Sequence, residues 1–171
     1  MRFTNIALLV SSTAAECMKP LGNFVKQRIL YLLLLLLVPT SAFADAGQRA
    51  VIDTPNAPVA KGPYSQAIKY GDLLFVAGQV PIDPVTNQWV TGRIEVQTRR
   101  VLDNVKAILA ANGMSMANVL STTVYLRDFA EFQRMNAVYA EYFTASPPAR
   151  VTVPSPLPGD MLIEISAIAG R

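Results

Sequence analysis

An α+β architecture, a single mixed β-sheet with two helices packed on one face, is written into residues 45–171. The last segment, residues 161–169, alternates Ile163, Ile165, Ala167 and Ala169 with the mixed set Leu162, Glu164, Ser166 and Ile168. That is one smooth apolar face and one part-polar face, because successive strand side chains point to opposite sides. Two segments carry apolar residues at helical spacing, and a β-branched stretch at 119–127 separates them. Near the start, residues 64–70 and 73–80 flank Gly71-Asp72, the pattern of a β-hairpin.

The order of elements is ββ(β)αβαββ. Residues 45–56 are a lead-in with a short strand near 50–53. The hairpin follows, with Tyr64 at the start of its first strand. Residues 81–92 form a loop broken by Pro81, Pro84, Asn87 and Gly92. The first helix spans 95–112, with Val101, Val105, Ile108 and Leu109 inward and Asn112-Gly113 as its stop. After the 119–127 strand, Asp128 and Glu131 read as a capping box. They open a helix with Phe132, Met135, Tyr139, Tyr142 and Phe143 on one stripe, which Pro147-Pro148 ends. A strand begins near Ala149, and a proline-rich loop leads to the last one. Helices on one side only leave the mixed face open, and association of subunits is the expected cover.

The first forty-four residues have a different composition. Residues 29–38 are ten consecutive apolar residues, preceded by Lys26 and Arg28 and followed by Ala42-Phe43-Ala44. A membrane-spanning helix needs about 20 apolar residues. A positive flank, a short apolar run and an Ala-x-Ala site instead predict a secretory signal peptide cleaved after Ala44. Met18 is the better start: 18–44 then has ordinary signal length, and 1–17 is read as an upstream extension. The expected location is periplasmic or secreted, with no stable membrane anchor after cleavage.

Residues 45–171 carry 11 Lys+Arg and 11 Asp+Glu, so the net charge of +3 belongs to the leader. A neutral domain lacks the positive footprint that phosphate backbones require, which argues against nucleic acid. The chain has no histidine, and its one cysteine, Cys17, precedes the domain. That removes imidazole acid–base chemistry, thiol nucleophiles, disulfides and His- or Cys-ligated metals from residues 45–171. The acids show no metal-ligand spacing and the glycines no phosphate loop.

Arg150 is the informative residue. It follows Pro147-Pro148-Ala149, stiff backbone at the mouth of a strand, from which a guanidinium can grip a carboxylate with two parallel hydrogen bonds. The competing reading is an arginine in a structural ion pair. Tyr64, after Gly62-Pro63, reads equally as packing with its hydroxyl at the rim. Asn136 within a helix reads equally as an exposed polar position, and Glu164 as an ion-pair partner.

The motifs Gly62-Pro63-Tyr64-Ser65-Gln66, Phe75-Val76-Ala77-Gly78-Gln79-Val80-Pro81, Leu102-Asp103-Asn104-Val105-Lys106, Met135-Asn136, Pro148-Ala149-Arg150-Val151 and Ile163-Glu164-Ile165-Ser166-Ala167-Ile168-Ala169 occur in this order. Taken together, the chain from about residue 52 to 169 strongly resembles the RidA (YjgF-type, reactive intermediate/imine deaminase) family. The resemblance implies a chorismate-mutase-like fold and a homotrimer with clefts between subunits. There, active members hydrolyse enamines and 2-imino acids to 2-keto acids and ammonia without metal or organic cofactor. It further implies that Arg150 holds the substrate carboxylate, that Tyr64 and Asn136 line the cleft, and that backbone at Val151 and Thr152 positions substrate or water.

Two positions depart from the pattern. The deaminases carry serine at Ala77 and glutamate at Ser166, the latter thought to position water. Serine does not ionise near neutral pH. Two readings follow: a deaminase with altered catalysis at Ser166, or a non-catalytic protein that binds small carboxylates in the same clefts. A third function attached to the family, ribonuclease or translation inhibition, fits poorly with export and zero net charge.

Overall fold

The computed structural model describes residues 47–171. The signal peptide expected over residues 18–44 and the upstream extension expected over 1–17 fall outside the described residues. The elements are β1 (Arg49–Ile52), β2 (Ala67–Tyr70), β3 (Leu73–Gln79), α1 (Ile94–Ala111), β4 (Val119–Leu126), α2 (Phe132–Tyr142), β5 (Ala149–Pro154) and β6 (Ile163–Gly170). Short 3-10 turns, Met116–Asn118 and Phe129–Glu131, lead into β4 and α2.

All six strands form one sheet in the order β1-β2-β3-β6-β4-β5. Only β4 and β5 run parallel, and a parallel pair needs a crossover, which α2 supplies. The other pairings are antiparallel. At the β2–β3 hairpin, Gly71 takes a φ of 57°, a conformation that costs glycine little.

The core lies between the sheet and the two helices. Ile163, Ile165, Ala167 and Ala169 are all buried, as the alternation predicts, and Leu74, Val124 and Leu126 join them. Against them pack Val101, Leu102, Ile108 and Leu109 of α1 and Met135 of α2, each fully inaccessible. Burying one such side chain contributes about 1.5–3 kcal/mol. The opposite face carries Phe75, Leu120, Val151 and Ile168 exposed, with Glu164 and Ser166 partly buried among them.

Several details differ from the sequence expectations. Tyr64 does not begin a strand; β2 starts at Ala67, and Tyr64 sits in a turn where its N–H donates to the Gly62 carbonyl. Helix α2 ends at Tyr142, well before Pro147-Pro148. The ring of Phe143 packs against Tyr139 at 4.5 Å between centroids as the chain leaves the helix. Ser146, barred from right-handed helix by the proline after it, then takes a φ of 52°. The capping box is half formed: Asp128 accepts from the Ala130 N–H at 2.9 Å, whereas Glu131 turns to Arg134.

Candidate functional site

Arg150 stands at the start of the edge strand β5, opposite Thr122 of β4. Thr122 in turn pairs with buried Ala167 of β6, so this register position belongs to the helix-covered face. There the Arg150 guanidinium lies over two rings of α2, with its carbon 4.6 Å from the centroid of Tyr139 and 5.6 Å from that of Phe132. Among the described residues no carboxylate pairs with it, whereas Arg99, Arg100 and Arg134 all have acidic partners. The stacked guanidinium keeps its N–H edge available.

The shelf beneath it is locked. The Tyr139 hydroxyl shares a buried 2.8 Å hydrogen bond with Thr122. Burial pushes the Tyr139 phenol up in pKa, while the Thr122 hydrogen bond and the Arg150 charge pull against it. Asn136 lies between the two rings on the same helix face, four residues after Phe132 and three before Tyr139. Its Oδ1 is buried and has no hydrogen-bond partner. A cation and an unsatisfied polar group thus share one edge of the molecule.

A second group gathers on the open face. Between Val76 and Gln79, β3 advances three residues while β6 advances two, from Ala167 to Ile165. That is a β-bulge, a device that re-aims local side chains. Ala77 lies in it and lines a hollow of ≈ 630 Å³ with Tyr64, Ser65, Ile68 and Phe75. Gly78, the next residue, lies against the Glu164 carboxylate so closely that a Cβ there would fall 1.9 Å from Glu164 Oε1. Ser166 is two residues along β6 and opposite Thr123, which in turn faces Val151.

Buried polar side chains fasten the loops around this face. Gln66 accepts from the Thr54 N–H at 2.7 Å and donates to the Thr54, Ala57 and Pro58 carbonyls, tying down the segment that carries Tyr64. Asn104 of α1 donates to the carbonyls of Val80 and Ile82. Gln97 accepts from the Leu162 N–H and donates to the Asp160 carbonyl. Gln66 and Asn104 belong to the quoted motifs, yet the sequence assigned them no role; the only signals were an amide shortly after Gly62-Pro63 and an amide three residues after Val101, inside the apolar stripe of α1. Tyr139 and Phe132 were read as core alone. The polar residue midway along their apolar stripe was the sign that the stripe does more.

The sequence-named residues therefore fall into two groups. Arg150, Thr152 and Asn136 belong to the helix-covered side at the β5 edge. Tyr64, Ala77, Val151 and Ser166 belong to the open face or the loop beside it. Arg150 and Ala77 are three strand spacings apart, about 14 Å, and on opposite sides of the sheet. One chain does not bring them around a single small ligand.

Comparison with known proteins gives this arrangement relatives. The family model described as Endoribonuclease L-PSP matches residues 54–170. The RutC family protein PH0854 of Pyrococcus horikoshii is 60% identical over 122 residues, covering 71% of this chain and 97% of that protein. The 2-iminobutanoate/2-iminopropanoate deaminase of Escherichia coli K12 is 43% identical over 124 residues, covering 70% and 96%. The crystal structure of the E. coli YjgF gene product superposes with a TM-score of 0.68 at 41% identity, covering 71% of this chain and 98% of that one. With sequence, sheet order and one-sided helices all in agreement, the chain belongs to the endoribonuclease L-PSP family, that of the RidA (YjgF-type) proteins.

Proposed function

We propose that this protein is a deaminase of small 2-imino acids or the enamines that precede them, releasing 2-keto acids and ammonia. The observation that carries the reading is the Arg150 guanidinium, half-buried on an aromatic shelf with no acidic partner among the described residues. A substrate carboxylate supplies the missing anion through two charge-assisted hydrogen bonds. The deaminase name of the E. coli relative supports the same substrate class.

The division of the site residues between two faces supports assembly across copies of the chain, with the homotrimer as the proposed unit. In each cleft, Arg150 and Asn136 of one copy face the Tyr64–Ala77–Ser166 surface of another. The exposed apolar residues of that surface, Phe75, Leu120, Val151 and Ile168, are suited to burial there. We further propose export, with cleavage after Ala44. The ribonuclease in the family description is not adopted, because residues 45–171 carry no net charge with which to attract a phosphate backbone.

Loss of enzymatically generated 2-iminopropanoate tests the reading. The purified protein is expected to accelerate it above buffer, and Arg150→Ala to abolish the acceleration in an assembled trimer. A carboxylate-binding protein without turnover would show Arg150-dependent affinity for 2-oxobutanoate and no acceleration.

A further inference from the structure

Tyr64 lines two hollows. The first, shared with Ala77, belongs to the open face described above. The second, of ≈ 240 Å³, runs from Tyr64 and Gly78 to Trp89, Pro158 and Met161. An apolar cavity of about 150 Å³ already accepts a molecule the size of benzene. Ile82 and Met161 are buried in it, whereas Trp89 is 51% exposed. Lys61 is the one charged residue of the lining, and its backbone N–H donates to the Tyr64 hydroxyl at 3.3 Å. The Gln66 and Gln79 amides donate to backbone carbonyls. Both walls are fastened from within the chain. Trp89 forms an antiparallel bridge with Ile82, whose carbonyl Asn104 holds, and the Val90 N–H donates to Pro81 at 2.7 Å. Opposite, Arg127 donates to the carbonyls of Leu157 and Pro158, and Gln97 to that of Asp160. A pocket held open in this way costs a ligand little ordering.

We infer that this hollow takes the side chain of the 2-imino acid, and that Trp89 makes the protein selective for a large apolar one, branched or aromatic, over methyl. The inference rests on the deaminase reading above. Arg150 of one copy holds the carboxylate and so lays the substrate against the Tyr64 surface of another. Tyr64 and Gly78 mark where its side chain passes into the hollow. A methyl group leaves the hollow unfilled. An isobutyl or benzyl group buries its carbons there against the indole, which brings a large contact area at fixed geometry. A polar side chain gains nothing from amides already committed to backbone.

Trp89 is the sole tryptophan of the chain, so its fluorescence reads occupancy of the hollow. The test compares turnover of enzymatically generated 2-imino-4-methylpentanoate and 2-iminopropanoate by wild type, Trp89→Ala and Trp89→Phe. Wild type is also titrated with 4-methyl-2-oxopentanoate and with 2-oxobutanoate while tryptophan emission is recorded. Wild type is expected to favour the larger imine by about tenfold or more in kcat/KM. Saturating 4-methyl-2-oxopentanoate is expected to shift the emission to shorter wavelength, and 2-oxobutanoate to shift it less. Trp89→Ala should lower the preference by about tenfold, chiefly through KM for the larger imine, and Trp89→Phe should retain most of it. Equal kcat/KM for the two imines in wild type overturns this inference and leaves the deaminase reading standing. A preference that Trp89→Ala retains, or an emission that 4-methyl-2-oxopentanoate leaves unmoved, overturns it as well. Absence of turnover of either imine in wild type overturns it together with the deaminase reading.

Discussion

The guanidinium of Arg150 sits over the ring of Tyr139, 4.6 Å from its centroid, and Thr122 holds that ring by its hydroxyl. A cation over an aromatic face gains about 0.5–2 kcal/mol, so the ring sets where the arginine points. Replacing Tyr139 with leucine is expected to raise KM, or the Kd for 2-oxobutanoate, by roughly 2- to 30-fold, with a smaller change in kcat. Tyr139→Phe retains the ring and should bind nearly normally, while losing about 0.5–1.5 kcal/mol of stability with the Thr122 hydrogen bond. Steady-state kinetics and urea unfolding on the two variants separate the effects.

Arg150→Lys preserves the charge but not the planar fork. It is expected to weaken substrate binding by about tenfold or more, equivalent to roughly 1.4 kcal/mol. Titration with 2-oxobutanoate reads this directly, and an unchanged Kd would show that charge alone suffices.

If the two halves of the site come from different copies, defects in each half should complement. Homotrimers of Arg150→Ala and of Tyr64→Ala are each expected to lose most of their turnover. Unfolding and refolding them together should restore turnover in clefts that combine an intact Arg150 with an intact Tyr64. No recovery in mixed trimers confirmed by mass spectrometry would place the whole site in one chain.

Asn104 holds two carbonyls, those of Val80 and Ile82, from inside the protein. Asn104→Leu leaves both without this donor, and an unsatisfied buried polar group costs about 1–3 kcal/mol. A lower urea midpoint is expected, together with faster hydrogen exchange in residues 80–92. Unchanged exchange in that loop would mean that it is held from elsewhere.

Glu164 also predicts a pH dependence of stability. Burial raises its folded-state pKa above 4.5, so the folded state favours the protonated acid. Its contribution is most favourable below that value and declines as pH rises through the folded pKa. Glu164→Gln should therefore raise Tm relative to wild type at pH 7, and the difference should shrink toward pH 4. Asp83, Glu95 and Glu141 act in the opposite sense. Hydrogen bonds from backbone N–H groups hold Asp83 low, and those from Arg134 and Arg99 do so for Glu95 and Glu141. What they add to stability is lost on acidification.

The last strand was legible residue by residue, because a period of two leaves no ambiguity about which side chains share a face. The hairpin was marked by Gly71, and the first helix by its spacing and its Asn112-Gly113 stop. The end of α2 was misplaced because prolines are conspicuous in sequence, whereas the packing of Phe143 on Tyr139 is not.

Order along the chain and alternation within each strand determine an α+β sheet with one apolar face, since both are local properties of the backbone. The carboxylate-binding character of Arg150 was likewise open to proposal from residue type, stiff flanks and resemblance. Tertiary structure alone decided that β6 inserts between β3 and β4, and that Arg150 and Ser166 lie on opposite sides of the sheet. It also decided that Glu164 rests on bare backbone at a bulge. Each of these depends on register between segments distant in sequence, which long-range packing sets and no local pattern encodes.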